Sequence, residues 1–548
     1  GLVTHDDKKP LCTFALGNEL RGKYDFALSN HSEQIPTLLG YKIEGDPLKE
    51  TLLDTCLIES IDQGSLMQEV STNFDDELSN ELIWKPDLLG AEFAVVDSIQ
   101  KLLSREIKVD SERVFSWLQR YNQQAHAPLS TLQTKAVTEA VSNRVFVLTG
   151  GPGVGKTTTA NAIIKIFKAM GKTVTLAAPT GRAAQRLSEL SGENSKTIHR
   201  LLEWNPVEGV FAKNEDNPLA SDVVICDETS MLDIRLASAF LTSVAKHSQL
   251  ILIGDMDQLP SVGPGAVLRD LIQSEKVPFV RLDQVFRQSQ ASSIVMHAHA
   301  INRGNFPEFT DEDKTDCKFI EVDDHASIRD TVDTLLSTTL QSIRGIDLKR
   351  DVQILTPMNR GELGTIELNL FLQERLNPKS DGATLSNDVF EKRPEDDFKR
   401  QKLRLGDKVI QTVNNYELQV FNGDIGFVEE LQVNGGKALI RYSDGRLVSY
   451  SHDDLDDLRL AYAITVHKSQ GSEFPVVIIP MSMQHYVMLQ RNLVYTALTR
   501  ARKIAIFIGS KSALQHAIRT TTSIERQTGL RQRLFDSLDP ISAANAPR

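Results

Sequence analysis

From about Leu129 onward, short aliphatic and β-branched runs alternate with longer stretches of helical periodicity. The runs are "VFVL" at 145–148, "VTLAA" at 174–178, "VVIC" at 223–226, "LILI" at 250–253 and "FVRL" at 279–282. Between several of them lie amphipathic segments such as "TTTANAIIKIFKAM" and "RAAQRLSEL". Uninterrupted apolar strands of this length are buried on both faces, and helices between them predict a parallel sheet built from βαβ units. A second series, "VQILTP" at 352–357, "VVIIP" at 476–480 and "IAIFIG" at 504–509, predicts a second α/β domain of the same kind. Between its parts, residues 404–457 change to alternating short strands with "NGD", "NGG" and "SDG" turns, the pattern of a small antiparallel barrel-like insertion. In the first 128 residues, "LKETLLDTCLIESI" and "GAEFAVVDSIQKLL" have helical periodicity and predict a mainly helical region.

Composition narrows the class without choosing a function. A chain of 548 residues is too long for one hydrophobic core, so three or more domains are expected. No apolar run approaches the length of a membrane span, and "GLVTHDDKKPLC" has no basic region followed by an apolar core, so no secretory signal is expected in it. The four cysteines, Cys12, Cys56, Cys226 and Cys317, are far apart and form no metal-binding or disulfide pattern. A cytoplasmic protein with no membrane partner is the expectation. The net charge of −12 argues against coating nucleic acid through bulk positive charge, but leaves room for a local basic groove. The acidic stretches "TDEDKTD" and "RPEDDFKR" read as solvated loops.

Chemistry enters at the ends of the apolar runs. Gly150 to Thr157, "GGPGVGKT", satisfies G-x-x-x-x-G-K-[ST] between a strand and a helix. Glycines such as Gly151, Gly153 and Gly155 let backbone N–H groups curl around phosphates, and the helix N-terminus adds partial positive charge. Lys156 is placed to reach the outer phosphates, the Thr157 hydroxyl to ligate Mg²⁺, and Thr158 lies beside it. "VVICDETSMLD" puts Asp227 and Glu228 after another strand, where one carboxylate can hold the Mg²⁺ shell and its neighbour polarise a water. Two acids there also make an ordinary helix N-cap. The balance shifts because "TGGPGVGKT", "APTGR", "DETS" and "GDMDQLPSV" all end strands of one predicted sheet, and ligands bind beyond the carboxyl ends of such strands. Lys156, Thr157, Asp227, Glu228 and Gln258 would then surround one polyphosphate. Arg287 in "LDQVFRQ" and Arg500 in "VYTALTRAR" either complete that site or form structural salt bridges.

The ordered series "LTGGPGVGKTTT", "APTGRAA", "TIHRLL", "ICDETSML", "GDMDQLPSV", "VFRQ", "AITVHKSQGSEF" and "LVYTALTRAR" resembles the motifs of superfamily 1 helicases. The wording of "VHKSQGSEF" and "FNGDIG" most resembles the RecD family, whose members move 5′→3′ on DNA. The likeness spans about Leu129 to Gly509. It implies an α/β protein with two RecA-like motor domains, 129–274 and 275–403 with 458–548, an SH3-like insertion at 404–457 and an accessory region at 1–128. It implies Gln133 on adenine, Lys156 and Thr157 on phosphate and Mg²⁺, Asp227 on Mg²⁺, Glu228 as base and Gln258 sensing the γ-phosphate. Arg287 and Arg500 become arginine fingers from the second motor domain. Pro179, Thr180, His199, Thr465 and His467 match positions lining a single-stranded DNA path, although a loop histidine is also a common structural donor. Segment 201–222 lies where such helicases carry a duplex-splitting hairpin, with Trp204 and Phe211 as strand residues and a turn at Pro206 to Gly209; a plain surface loop is the alternative.

The expectation is an ATP- and Mg²⁺-dependent DNA helicase acting on single-stranded DNA and duplex junctions in repair or recombination. Three other readings stay open: an RNA helicase of the same superfamily, a nucleotide-switched binding module, and the motor subunit of a larger helicase–nuclease complex with protein partners.

Overall fold

A computed structural model describes residues 84–125, 127–284, 292–309, 315–378, 402–415, 417–432, 437–521, 526 and 528–538, together with the backbone of short strands before residue 84. Arg287, most of the two acidic stretches and the helix expected in "LKETLLDTCLIESI" lie outside the described residues.

Six parallel strands form the first sheet, in the order Phe279–Leu282, Val145–Gly150, Gln249–Gly254, Val223–Cys226, Val174–Ala178, Ser195–Thr197. Its central strands are buried on both faces, as their unbroken apolar sequences require. Alternate residues feed two separate cores. Val145, Val147, Val224 and Leu252 face one core, shared with the helices Pro86–Leu103, Ile234–Thr242 and Leu530–Leu538. Phe146, Leu148, Ile225 and Ile253 face the other, shared with Thr131–Ser142 and Lys156–Ala169. Helix Pro86–Leu103 is therefore packed into the first lobe through Leu88, Val95 and Ile99. The described backbone before it is a four-stranded sheet that the helical reading of this region does not contain.

The second parallel sheet runs Cys317–Glu321, Ala501–Gly509, Phe474–Met481, Val352–Thr356, Ala463–Thr465. Cys317–Glu321 and the three-residue Ala463–Thr465 carry too little periodicity to stand out in the sequence. Between Val352–Thr356 and Ala463–Thr465 the chain makes an antiparallel five-stranded sheet, with Leu458–Leu460 as an edge strand paired with Lys408–Gln411. Segment 201–222 contains a true hairpin, Trp204–Asn205 with Val210–Phe211, whose Trp204 and Phe211 rings lie 4.6 Å apart. Among the described residues, no helix is long and apolar enough to cross a membrane.

The insertion is seated through a buried cation. Lys408 is 2% exposed, donates to the Val352 carbonyl at 3.0 Å and lies over the Phe474 ring. Burial, with the nearby Arg182 guanidinium adding to it, pushes its ammonium down to about 7. The unfolded chain then binds this proton more tightly between about pH 7 and the ordinary lysine value of 10.5. The group therefore subtracts stability at and below pH 7, and the penalty fades as pH rises toward 10.5. Lys408→Met, which keeps the volume, is expected to raise the melting temperature at pH 7 by about 2–4 °C. The gain should shrink by pH 10. A lower melting temperature with an unchanged pH profile would count against this account.

Candidate active site

The register of the first sheet brings its functional ends together. Gly254 is paired with Thr149, and Cys226 with both Leu252 and Ala177, so the loops after all four strands open at one edge. Gly155 adopts a left-handed conformation (φ 82°) to turn the chain into helix Lys156–Ala169, a backbone that side-chain-bearing residues resist. The Lys156 ammonium donates to the carbonyls of Gly150 and Gly151, the latter at 2.9 Å. Thr157 and Thr158 open into the cavity, whereas Thr159 turns back to donate to the Gly155 carbonyl at 2.9 Å.

Asp227 follows its strand directly, and one of its oxygens accepts the Glu228 N–H at 2.8 Å. Burial, and then the Glu228 charge beside it, raise its carboxyl to about 6, against the pull of Lys156 and Arg186. Glu228 is one of four described non-glycine residues with positive φ (53°), so local strain sits at this position. Gln258 donates through Nε2 to Asp255 at 3.1 Å. Gln133 is 2% exposed and engaged at both ends of its amide. Its oxygen accepts the Ser130 N–H in a capping box, and its nitrogen donates to the Gly155 carbonyl at 3.3 Å. One donor and one acceptor position remain for another partner.

These groups share one cavity of about 670 Å³. Its walls include Gln133, Lys156, Thr157, Asp227, Glu228 and Gln258 from the first lobe and Arg500 from the second. Arg500 is 3% exposed and is held by its own lobe, donating to the carbonyls of Thr496 and Ser472 and to the Thr499 hydroxyl at 3.2–3.3 Å. Three of its five N–H groups are used in this way.

Sequence reasoning missed several cavity neighbours. Arg186 of the first lobe pairs with Glu473 of the second at 2.6 Å, and Arg502 holds the other Glu473 oxygen at 2.8 Å. Burial alone would raise that carboxyl, but Arg186 and Arg502 win and hold it below the usual range. Tyr495 and His299 press on the P-loop: a Cβ at Gly151 would lie 2.9 Å from the Tyr495 hydroxyl and 3.3 Å from the His299 ring. Arg186 is one of two arginines in an amphipathic helix, and Tyr495 and His299 read as helix interior. No local signal marks them.

The five residues matched to a DNA path make different local contacts. Thr180 caps the helix Gly181–Ser191, and a Cβ at Gly471 would lie 2.9 Å from its hydroxyl; Pro179 precedes it, half-buried. His199 packs against the hairpin rings of Phe211 and Trp204, with burial lowering its pKa. Thr465 accepts the Lys468 N–H at 3.3 Å, and His467 lines a second interlobe cavity of about 480 Å³ with Leu259, Val262 and Met488.

The chain matches three family models. They are an AAA domain at 133–264, an ATP-dependent RecD-like DNA helicase SH3 domain at 368–442 and a UvrD-like helicase C-terminal domain at 460–508. The ATP-dependent RecD2 DNA helicase of Deinococcus radiodurans is 35% identical over 476 residues, 85% of this chain and 62% of that protein, so the chain spans less than two thirds of that relative. The RecBCD enzyme subunit RecD of Mycolicibacterium smegmatis is 31% identical over 438 residues, 73% of this chain and 74% of that one. Among solved structures, a Bacteroides Pif1 helicase in complex with ADP-AlF3 and ssDNA aligns at 20% identity and a TM-score of 0.43 over 71% of this chain and 94% of that one, too loosely for residue correspondence. A phosphate-binding turn, a strand-end acid pair and a second-lobe arginine on one cavity, with sequence identity that runs through both lobes and the insertion, have one common source: the chain belongs to the RecD-like family of superfamily 1 DNA helicases.

Proposed function

We propose that this chain hydrolyses ATP to move 5′→3′ along single-stranded DNA and to open duplex ahead of it, in the cytoplasm and in the service of repair or recombination. The observation that carries the reading is the cavity walled by Lys156 and Glu228 on one lobe and Arg500 on the other. A γ-phosphate between them would attract both lobes, and its release would weaken that attraction. Differential affinity of this kind is what converts hydrolysis into hinge motion.

The residues fit a magnesium–nucleotide. The Lys156 ammonium rests on P-loop carbonyls that a phosphate would displace as its partner. Thr157 and Asp227 offer one hydroxyl and one carboxylate, too few for an all-protein cage and suited to a cation that keeps several waters. Bound there, Mg²⁺ would neutralise charge on the phosphates. Glu228 would take a proton from the attacking water, Gln258 would read the γ-phosphate, and Arg500, with Arg287, would balance charge developing on it.

In this scheme the boundaries expected from the sequence move with the packing: the first motor domain takes 129–282, with helices Pro86–Leu103 and Leu530–Leu538 packed on its core, the second begins after Leu282 and resumes after Leu460, the insertion runs from 404 to Leu460, and the residues before Pro86 are the accessory region. Pro179, Thr180, His199, Thr465 and His467 contact the strand through a sequence-tolerant grip, and the Trp204–Phe211 hairpin parts the duplex.

Matched duplexes with 5′ or 3′ tails test the reading. Wild-type protein with ATP should unwind the 5′-tailed substrate, and the Lys156→Ala variant neither. Unwinding from the 3′ tail alone, or no stimulation of ATP turnover by single-stranded DNA, would refute it. A second reading, the motor subunit of a larger assembly, draws on the mycobacterial relative being named a RecBCD subunit. Co-purification with partner chains on gel filtration would favour it.

A further inference from the structure

Gln258 belongs by chain to the first lobe, one loop beyond strand Gln249–Gly254. The residue after it does not pack there. The Leu259 side chain is 4% exposed and sits in the core of the second lobe, among Val494, Leu493 and Ile464. Both of its backbone polar groups are also satisfied from that lobe. The Leu259 N–H donates to the Thr496 hydroxyl at 2.9 Å, and its carbonyl accepts from the Gln470 amide at 2.9 Å. On the other side of Gln258, Asp255 accepts from the Tyr495 hydroxyl at 2.9 Å on the same oxygen that holds the Gln258 amide. Three second-lobe residues therefore bracket Gln258.

Its own lobe holds the loop through the Met256 side chain, which packs against the first core, through the Gln258 N–H on the Asp255 carbonyl at 3.3 Å, and through two further polar contacts. The Met256 N–H reaches the Thr149 hydroxyl at 3.4 Å, and Arg281 pairs with Asp257 at 2.8 Å across an exposed contact. Interlobe bonds that are buried and fully satisfied hold their geometry, because a buried group stripped of its partner pays its desolvation in full.

We propose that Gln258 is carried by the second lobe: Thr496 and Gln470 are positioning residues that set its distance from the γ-phosphate through Leu259. Lobe closure then delivers Arg500 and Gln258 together, although only Arg500 belongs to the closing lobe by sequence. This inference rests on the nucleotide-site reading above and adds the part that links sensor to motion.

The test is a double-mutant cycle on ATP turnover, with and without single-stranded DNA. Thr496→Val keeps the shape and removes the acceptor of the Leu259 N–H. It is expected to lower kcat about tenfold with KM for ATP within about twofold, the signature of a contact used on the way to the transition state. Thr496→Ser should restore kcat to within about twofold. In a Gln258→Ala background, Thr496→Val should have no further effect. The same tenfold loss in that background, or an unchanged kcat in the single variant, overturns the proposal. Thermal melting separates loss of fold from loss of positioning, and Gln470→Ala carries the same cycle if Thr496→Val does not fold. A second readout does not need turnover: the ratio of affinities for a non-hydrolysable ATP analogue and for ADP. It should fall in Thr496→Val and not in the Gln258→Ala background. Wild-type protein that hydrolyses ATP without stimulation by DNA would sink the motor reading while the cycle still scores the inference; if wild type does not turn over at all, the affinity ratio decides it.

Discussion

Arg500→Ala is expected to lower ATP turnover by about 10³- to 10⁵-fold, the range over which arginine fingers act elsewhere. The guanidinium is already oriented by its own lobe, through the Thr496 and Ser472 carbonyls and the Thr499 hydroxyl, so it needs little rearrangement to face a phosphate. Those three acceptors also explain why Arg500→Lys should rescue poorly. An ammonium cannot span them and still present a free donor in a fixed direction. Because Arg500 lies across the cavity from Lys156, nucleotide affinity should change by no more than about threefold, leaving the loss in kcat. Turnover by a coupled assay and nucleotide binding by fluorescence would separate the two. A kcat within tenfold of wild type would show that the second lobe does not serve this site. Arg500 is 3% exposed, so a melting curve must accompany the assay.

Lys156→Ala should cost about 10²- to 10³-fold in turnover or more, since it removes a preorganised cation from a site where charge develops. It should also abolish unwinding of every tailed substrate. Its effect on stability should be small. The Lys156 ammonium holds the Gly150 and Gly151 carbonyls, and Gly151 borders the cavity, where water can take the place of the ammonium. A protein that melts like wild type and has lost turnover would place the defect in phosphate binding. Turnover within a few-fold of wild type would remove Lys156 from the mechanism and with it the assignment of the cavity.

The two variants probe opposite walls of one cavity, and the walls were not equally readable. Strand–loop–helix motifs such as "VFVLTGGPGVGKTTT" carry their own geometry, because burial on both faces demands a long apolar run and a phosphate turn demands glycine next to a helix start. Gln133 shows the limit of that reading. The family resemblance implied a role for it on adenine, but neither its place beside the P-loop nor the sharing of its amide between Ser130 and Gly155 was readable before folding. His199 is similar, since its neighbours Trp204 and Phe211 reach it only after the hairpin has folded back.

By itself the amino-acid sequence determined the parallel-sheet class of both lobes, the antiparallel character of the insertion, and the P-loop with its strand-end acids, whereas it left the segment around Trp204 and Phe211 open between a hairpin and a plain loop. Each depends on residues within a few positions of one another, where periodicity, turn chemistry and capping act directly on the local backbone. Tertiary structure alone decided the rest: the Arg186–Glu473 bridge, the contact of Tyr495 with Gly151, and the seating of Leu259 in the core of the other lobe. Such contacts join residues more than two hundred positions apart. They follow from how two sheets meet, and no local pattern encodes the relative placement of two surfaces that are each complete without the other.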